Sequence, residues 1–171
     1  MAADRAISGE IRVGLGFDVH RLAAGRPLRL GGVEIPFDRG PLGHSDGDAL
    51  LHAITDALLG AAGLGDIGGL FPDSDPRFAG ADSRELLRQA HALVRGRGFE
   101  VEFIDAVIIA EAPRIAPYRE AIVASIRSVL DLPRLPISVK GKSMEGLGAV
   151  GSGEAVACLA TATVRHTGSS S

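Results

Sequence analysis

The stretch GFDVHRL, residues 16–22, places an aspartate and a histidine two positions apart in an otherwise apolar run. Successive residues of a strand point to opposite faces of the sheet, so Asp18 and His20 would share one face. Phe17 and Val19 would point the other way. Because a carboxylate and an imidazole are both ligands of divalent metals, this strand predicts part of a metal site.

A second metal-capable segment is a predicted helix that carries His52. Asp48 and Asp56 lie one turn before and one turn after it, on the same helix face. Two histidines and one carboxylate are a common ligand set for catalytic zinc, and Asp56 could accept the other ring N–H of His52. In the alternative interpretation these aspartates only stabilise the helix start and His52 is an ordinary core or surface residue. Spacing alone does not show that the two segments meet.

Two further segments have the composition of phosphate sites. GHSDGD, residues 43–48, brings a serine and a histidine to a helix start, where free N–H groups favour anions. An ordinary helix cap, with Ser45 as N-cap and Asp48 completing it, explains the same residues equally well.

The second segment, VKGKSMEGLG at residues 139–148, groups charged and hydroxyl side chains at the end of a predicted strand. Lys140, Lys142 and Ser143 could hold a phosphate, and Glu145 could hold Mg²⁺ against its oxygens. A solvated turn is the alternative. Dinucleotide fingerprints, P-loops and nucleophile elbows are all missing from the sequence.

Composition narrows the class of protein. The chain has 171 residues, a net charge of −3 and one cysteine, Cys158. Without a basic tract, nucleic-acid binding is not expected, and without an apolar run of about 20 residues neither is a membrane partner. We predict a cytoplasmic protein with a single catalytic domain over residues 1–171, ordered from about 11 to 165, and an inert, buried Cys158.

Strands and helices alternate along the chain. The patterns predict strands over 11–20, 101–111 and 136–143 and a hairpin over 26–37 that turns at Gly31 and Gly32. Helices are predicted after Ser45, after Asp82 and from Pro117, with a long loop over 63–82 and a glycine-rich loop before residue 155. The last segment alternates like a strand, although its alanines also allow a helix. This order favours an α/β two-layer sandwich, a mixed sheet with helices packed on one face.

Three stretches, GFDVHRL, GHSDGDALLHAITDALLGAAGLGDIGGLFPDSDP and GADSRELL, resemble the 2-C-methyl-D-erythritol 2,4-cyclodiphosphate synthase family of the non-mevalonate isoprenoid pathway. The resemblance extends from about residue 13 to residue 164. It implies a homotrimer with active sites between neighbouring subunits. It also implies a phosphorus–oxygen lyase that cyclises 4-diphosphocytidyl-2-C-methyl-D-erythritol 2-phosphate and releases CMP.

The resemblance also assigns residues. It implies a zinc site of Asp18, His20 and His52, a Mg²⁺ or Mn²⁺ ligand at Glu145, and catalytic roles for Lys142, Ser143 and Glu145. The implied contacts to the phosphate and methylerythritol groups are His44, Ser45, Asp66, Ile67, Gly68, Phe71 and Asp73. The implied cytidine pocket consists of Ala110, Pro113, Arg114, Ile115 and Ala116. Lys140, Lys142 and Arg114 would add positive charge around the substrate.

The last third of the chain departs from the family pattern. Ala149 stands where an aromatic residue is usual and Ser152 where an arginine is usual, in a cavity on the trimer axis where isoprenoid diphosphates bind in relatives. We therefore expect regulation through that cavity to be weakened and catalysis to be kept. Two rival functions are a metal-dependent phosphoesterase that uses bound water and a trimeric binding protein without turnover.

Overall fold

The computed structural model describes residues 9–43, 45–72, 74–78 and 80–168. Its main sheet has five strands in the order β4-β1-β7-β5-β6, and β2 and β3 form a separate hairpin. Within the main sheet β5 and β6 are parallel and the other neighbours are antiparallel, so the predicted mixed sheet is confirmed. The strands are β1 (Ile11–Ala24), β2 (Leu28–Leu30), β3 (Val33–Ile35), β4 (Arg39–Pro41), β5 (Phe99–Ile109), β6 (Ile137–Lys142) and β7 (Ala155–His166).

Helices cover one face of this sheet. In β7, Cys158, Ala160 and Ala162 are buried, whereas the side chains between them are more open. The central helix α1 packs on β1 and β7 and has only two residues that are not buried, Asp56 and Gly60. The helices are α1 (Ala49–Ala61), α2 (Ile67–Leu70), α3 (Ser83–Gly96), α4 (Arg119–Leu130) and α5 (Gly148–Gly151), with 3₁₀ turns at Pro76–Phe78 and Ala116–Tyr118. No helix among the described residues has the length and apolar character that crossing a membrane requires.

Two glycines of β1 allow α1 to lie directly on the strand. A Cβ atom at Gly14 would overlap the carbonyl oxygen of Ala57, and one at Gly16 would overlap that of Ala53. Glycine in a strand often marks such a close approach of another backbone segment. Because His52 precedes Ala53, this contact brings its imidazole over the strand face that carries the predicted metal ligands.

Replacing Gly16 with alanine should therefore destabilise the fold. The new methyl group must push α1 away from β1, at a cost of about 2–3 kcal/mol in the free energy of unfolding. Urea denaturation measures this change. Gly60→Ala is the matched control, since a Cβ at Gly60 meets no atom within 4 Å. Alanine there should raise stability by up to about 1 kcal/mol. Equal stability of Gly16→Ala and the wild type would contradict the close-approach argument.

Most predicted elements are present, with shifted ends. The hairpin turns where predicted, and Gly31 and Gly32 both have positive φ values, 64° and 76°, as a tight two-residue turn requires. The last segment is a strand, which decides between the two interpretations left open above. The predicted loop over 63–82 contains α2 and a 3₁₀ turn, and the glycine-rich loop contains α5.

Cys158 is buried, and burial raises the pKa of its thiol well above the usual range, as an inert cysteine requires.

The predicted start of the first helix was wrong by three residues. Asp48, not Ser45, is the N-cap of α1, because its carboxylate accepts a hydrogen bond from the Leu51 N–H at 3.0 Å. The same buried carboxylate accepts from the backbone N–H groups of Gly31 at 2.9 Å and Gly32 at 2.6 Å. Asp48 thus joins the hairpin turn to the start of α1 and fixes the helix that carries the candidate metal ligand.

The other face of β1 carries a row of exposed apolar side chains. Their exposed fractions run from 48% at Val19 to 66% at Val13 and Leu15. We call this set the open row; its members are Ile11, Val13, Leu15, Phe17 and Val19. A contiguous apolar surface of this kind is typical of a protein–protein contact.

Candidate active site

Three metal-capable side chains converge between β1 and α1. The Oδ2 atom of Asp18 lies 2.8 Å from His20 Nε2 and 2.9 Å from His52 Nδ1, and the two ring nitrogens are 3.2 Å apart. The strand and helix segments therefore meet, as predicted. Among the residues that the structure describes, no other three metal-capable side chains come together in this way.

The ionisation and orientation of this cluster suit a divalent cation. Burial opposes charge on Asp18, but the two neighbouring imidazoles outweigh it and hold the pKa of this carboxyl well below its usual range. The Asp18 carboxylate in turn raises the pKa of His20. His20 Nδ1 lies 3.1 Å from the carbonyl oxygen of Leu42. Since a carbonyl only accepts, Nδ1 carries a proton, and Nε2 is the nitrogen that faces the cluster and can bind a metal once its own proton is lost. One carboxylate and two imidazoles are the donor set that zinc prefers.

The two aspartates on either side of His52 do not belong to the metal-capable cluster. The Asp48 carboxylate accepts hydrogen bonds from the hairpin turn, and Asp56 Oδ1 accepts one from the backbone N–H of Ile67 at 2.7 Å. The predicted hydrogen bond between Asp56 and His52 was therefore wrong. His52 Nε2 instead lies 2.9 Å from Ser83 Oγ and 3.2 Å from Ser45 Oγ. Nothing local in the sequence indicated Ser83, because it lies at the start of a different helix.

A cavity of about 370 Å³ opens beside the cluster, and we call it the metal-side cavity. Its lining includes seven predicted residues, Asp18, His20, Ser45, His52, Ile67, Gly68 and Phe71. It also includes Gly43, from the GHSDGD segment, and three residues that the sequence did not indicate, Leu42, Phe78 and Leu86. Asp66 is not part of this lining; it caps α2 by accepting from the Gly69 N–H at 2.7 Å. His44 and Asp73 lie outside the described residues.

A second cavity, of about 330 Å³, lies where β5 and β6 end, and we call it the strand-end cavity. Its lining brings together seven predicted residues, Ala110, Pro113, Arg114, Ile115, Ala116, Lys142 and Ser143, with Glu111, Arg119 and Gly141. Its three cationic side chains outnumber the one carboxylate, which favours a phosphorylated ligand. Lys140 does not line it, because its Nζ pairs with Asp105 at 2.6 Å. This carboxylate offsets part of the positive charge that Lys140 was predicted to add around the substrate.

Glu145 lies just beyond the strand-end cavity. Its side chain is exposed and accepts a hydrogen bond from Ser143 Oγ at 2.9 Å. It does not join the cluster of Asp18 and the two histidines. A single carboxylate beside a phosphate-suited cavity matches the way Mg²⁺ is held, because that ion takes one or two carboxylates together with substrate phosphates.

The two cavities lie apart on the same chain. Asp18 on β1 is opposite Cys158 on β7, Cys158 is opposite Ile108 on β5, and Ile108 is opposite Gly141 on β6. Three strand spacings correspond to about 14 Å. Cys158 and Ile108 are both fully buried, so no open path follows this row from one cavity to the other.

This arrangement defines a class of protein, a mixed α/β fold with a candidate metal centre and a separate cationic cavity. The chain belongs to the YgbB family, whose sequence profile matches residues 11–165. It is 58% identical over 156 residues to the 2-C-methyl-D-erythritol 2,4-cyclodiphosphate synthase of Aromatoleum aromaticum. That alignment covers 91% of this chain and 94% of the relative.

Solved structures agree with this assignment. A 2C-methyl-D-erythritol-2,4-cyclodiphosphate synthase in a CDP-bound form superposes with a TM-score of 0.82 at 45% identity, covering 90% of this chain and 99% of that one. The bifunctional IspDF from Campylobacter jejuni superposes with a TM-score of 0.89 at 46% identity. That match covers 93% of this chain but 43% of the bifunctional chain, so the likeness concerns one part of the larger protein.

Proposed function

We propose that this chain is a metal-dependent cyclodiphosphate synthase, a phosphorus–oxygen lyase of the non-mevalonate isoprenoid pathway. It cyclises 4-diphosphocytidyl-2-C-methyl-D-erythritol 2-phosphate to 2-C-methyl-D-erythritol 2,4-cyclodiphosphate and releases CMP. The convergence of Asp18, His20 and His52 beside a cavity carries the proposal, in a chain 58% identical to a synthase of that name. The CDP-bound form of a similar structure supports a cytidine diphosphate substrate.

The proposed cofactors are zinc and either Mg²⁺ or Mn²⁺. Asp18, His20 and His52 would hold the zinc, and Glu145 would hold the second ion. When bound, these cations neutralise diphosphate oxygens and stabilise the charge that develops on the departing CMP. The donor set of the cluster fits the first ion, and an isolated carboxylate beside a cationic cavity fits the second.

The protein's own side chains position a reaction that needs little proton transfer. An oxygen of the 2-phosphate attacks the β-phosphorus, and the bond from that phosphorus to the oxygen bridging to the α-phosphate breaks. CMP leaves with that oxygen. Because the nucleophile is already an anion, no general base is required, and the main contribution is alignment. Lys142 and Ser143 would hold the diphosphate for in-line attack.

The remaining assignments divide the substrate between the two cavities. The strand-end cavity would hold cytidine through Ala110, Pro113, Arg114, Ile115 and Ala116. The methylerythritol and its phosphate would contact Ser45, Ile67, Gly68 and Phe71 of the metal-side cavity, together with His44, Asp66 and Asp73.

We further propose that the enzyme is a homotrimer whose active sites lie between subunits. The open row supports assembly, since five exposed apolar side chains on one strand favour burial against another chain. The separation of about 14 Å between the cavities favours a site that combines the metal-side cavity of one subunit with the strand-end cavity of its neighbour. A charged nucleotide substrate does not cross membranes unaided, which favours a cytoplasmic enzyme. The match of one family profile to residues 11–165 favours a single catalytic domain.

Phosphorus NMR of the products tests this function. The zinc- and magnesium-loaded protein, incubated with the cytidylated substrate, should give equal amounts of the cyclic diphosphate and CMP. Linear phosphate products would instead identify a phosphoesterase that uses water. A protein that binds zinc and CMP but leaves the substrate unchanged would be the non-catalytic binding protein.

A further inference from the structure

We propose that Asp46 and Ser83 form a positioning pair for His52, acting from the side of the imidazole that faces away from the metal cluster. Ser83 is fully buried, its Oγ lies 2.9 Å from His52 Nε2, and its hydroxyl donates to Asp46 Oδ1. The inference rests on the proposed function, because it concerns how the zinc ligand His52 is held. We call the two residues the Asp46–Ser83 pair.

Hydrogen-bond chemistry sets which group donates and which accepts along the series His52, Ser83 and Asp46. A serine hydroxyl has one hydrogen, and an ionised carboxylate can only accept. Since the Ser83 hydrogen goes to Asp46, its oxygen faces His52 as an acceptor. His52 must then donate from Nε2, which leaves the Nδ1 lone pair directed at Asp18 and His20. A neutral imidazole in this tautomer is ready to bind a metal through Nδ1.

Backbone contacts fix Asp46 in place. Its N–H donates to the carbonyl of Ala81 at 3.1 Å. Its carboxylate accepts from the N–H groups of Ser83 and Asp48, each at 3.3 Å. The carboxylate therefore bridges the start of α1 and the start of α3. The Ser83 hydroxyl between Asp46 and His52 can rotate. The fixed position of the Asp46 carboxylate holds that hydroxyl in one orientation, as a positioning group must.

Other groups compete for the same imidazole. Asp18 faces Nδ1 at 2.9 Å, and Ser45 Oγ is 3.2 Å from Nε2 while also accepting from the Gly47 N–H. In the metal-free protein, Asp18 at one nitrogen and the Asp46–Ser83 pair at the other thus compete for a single ring proton. Without the pair, Asp18 keeps the proton on Nδ1, and an incoming metal must displace it.

The test measures zinc affinity by competition with a chelator. Ser83→Ala should weaken zinc binding by about 10–100-fold, the usual effect of losing a partner of a metal-bound histidine. Asp46→Asn, which keeps an acceptor oxygen but loses the charge, should change zinc affinity in the same direction by a smaller factor. Asp82→Ala is the matched control. Asp82 caps α3 by accepting from the Arg84 N–H at 2.9 Å and makes no hydrogen bond to His52, so zinc affinity should be unchanged.

A second measurement reports the tautomer directly. In metal-free protein, ¹⁵N NMR distinguishes an imidazole that is protonated at Nδ1 from one that is protonated at Nε2. The share of His52 protonated at Nδ1 should rise in Ser83→Ala relative to the wild type. A role confined to helix stability would not move this signal.

Two results would overturn the proposal. One is a folded Ser83→Ala variant with zinc affinity within about twofold of the wild type and an unchanged His52 tautomer. The other is an Asp82→Ala control that loses as much zinc affinity as Ser83→Ala. A wild-type protein that binds no zinc would refute the zinc assignment of the proposed function instead. The tautomer measurement on metal-free protein would still decide whether the Asp46–Ser83 pair orients His52.

Discussion

Replacing His20 with alanine should lower kcat/KM for cyclisation by at least about 1,000-fold, because the metal-binding cluster loses one of its three ligands. Zinc content measured on the purified variant should fall with it. The fold should persist, since His20 lies at the rim of the metal-side cavity and is not fully buried. Circular dichroism and the urea midpoint would confirm that the variant is folded.

His166→Ala is the matched control for this substitution. His166 is a partly buried strand histidine that contacts Phe99 and does not belong to the metal-capable cluster. The control should keep its zinc and its activity. A His20→Ala variant that retained both full zinc occupancy and full activity would contradict the assignment of the cluster.

Mixing two inactive variants should restore activity if the site lies between subunits. In a mixed trimer, a Lys142→Ala subunit supplies an intact metal-side cavity and a neighbouring His20→Ala subunit supplies an intact strand-end cavity. After random mixing of equal amounts, each intact half is present at half of the positions, so about one quarter of the sites should be functional. Steady-state cyclisation by the mixture, compared with each variant alone, measures this recovery.

The control for the mixing experiment combines two variants that both alter the metal-side cavity. His20→Ala with His52→Ala should stay inactive at every ratio, because every metal-side cavity lacks a ligand. Mixtures of His20→Ala and Lys142→Ala that stayed inactive despite verified subunit exchange would place both halves of the site within one chain.

Much of the metal centre followed from strand alternation. The two-residue period of β1 places Asp18 and His20 on one face and the open row on the other, and the structure shows both. The encounter of this strand with His52 did not follow from spacing. It depends on the close approach of α1 at Gly14 and Gly16, a packing feature that no local pattern reveals.

The wrong predictions for the helix cap and for Asp56 share a physical cause, which is that partners distant in sequence take part. Asp56 accepts a hydrogen bond from Ile67 on α2 and not from His52 on its own helix. Asp48 became the helix cap because the hairpin turn supplies two further N–H donors to its carboxylate. The Asp46–Ser83 pair could not be predicted from sequence for the same reason, because its hydrogen bonds join the starts of two helices that are distant in the chain.

The most direct test of the proposed function is to run the reaction in water enriched in ¹⁸O and to measure the masses of the products by mass spectrometry. Attack by the internal 2-phosphate uses only oxygens of the substrate, so both the cyclic diphosphate and CMP should contain no solvent oxygen. Hydrolysis would place one solvent oxygen in a phosphate product. Unlabelled cyclic diphosphate and CMP in equal amounts are the predicted result, and labelled linear products would contradict the proposed function.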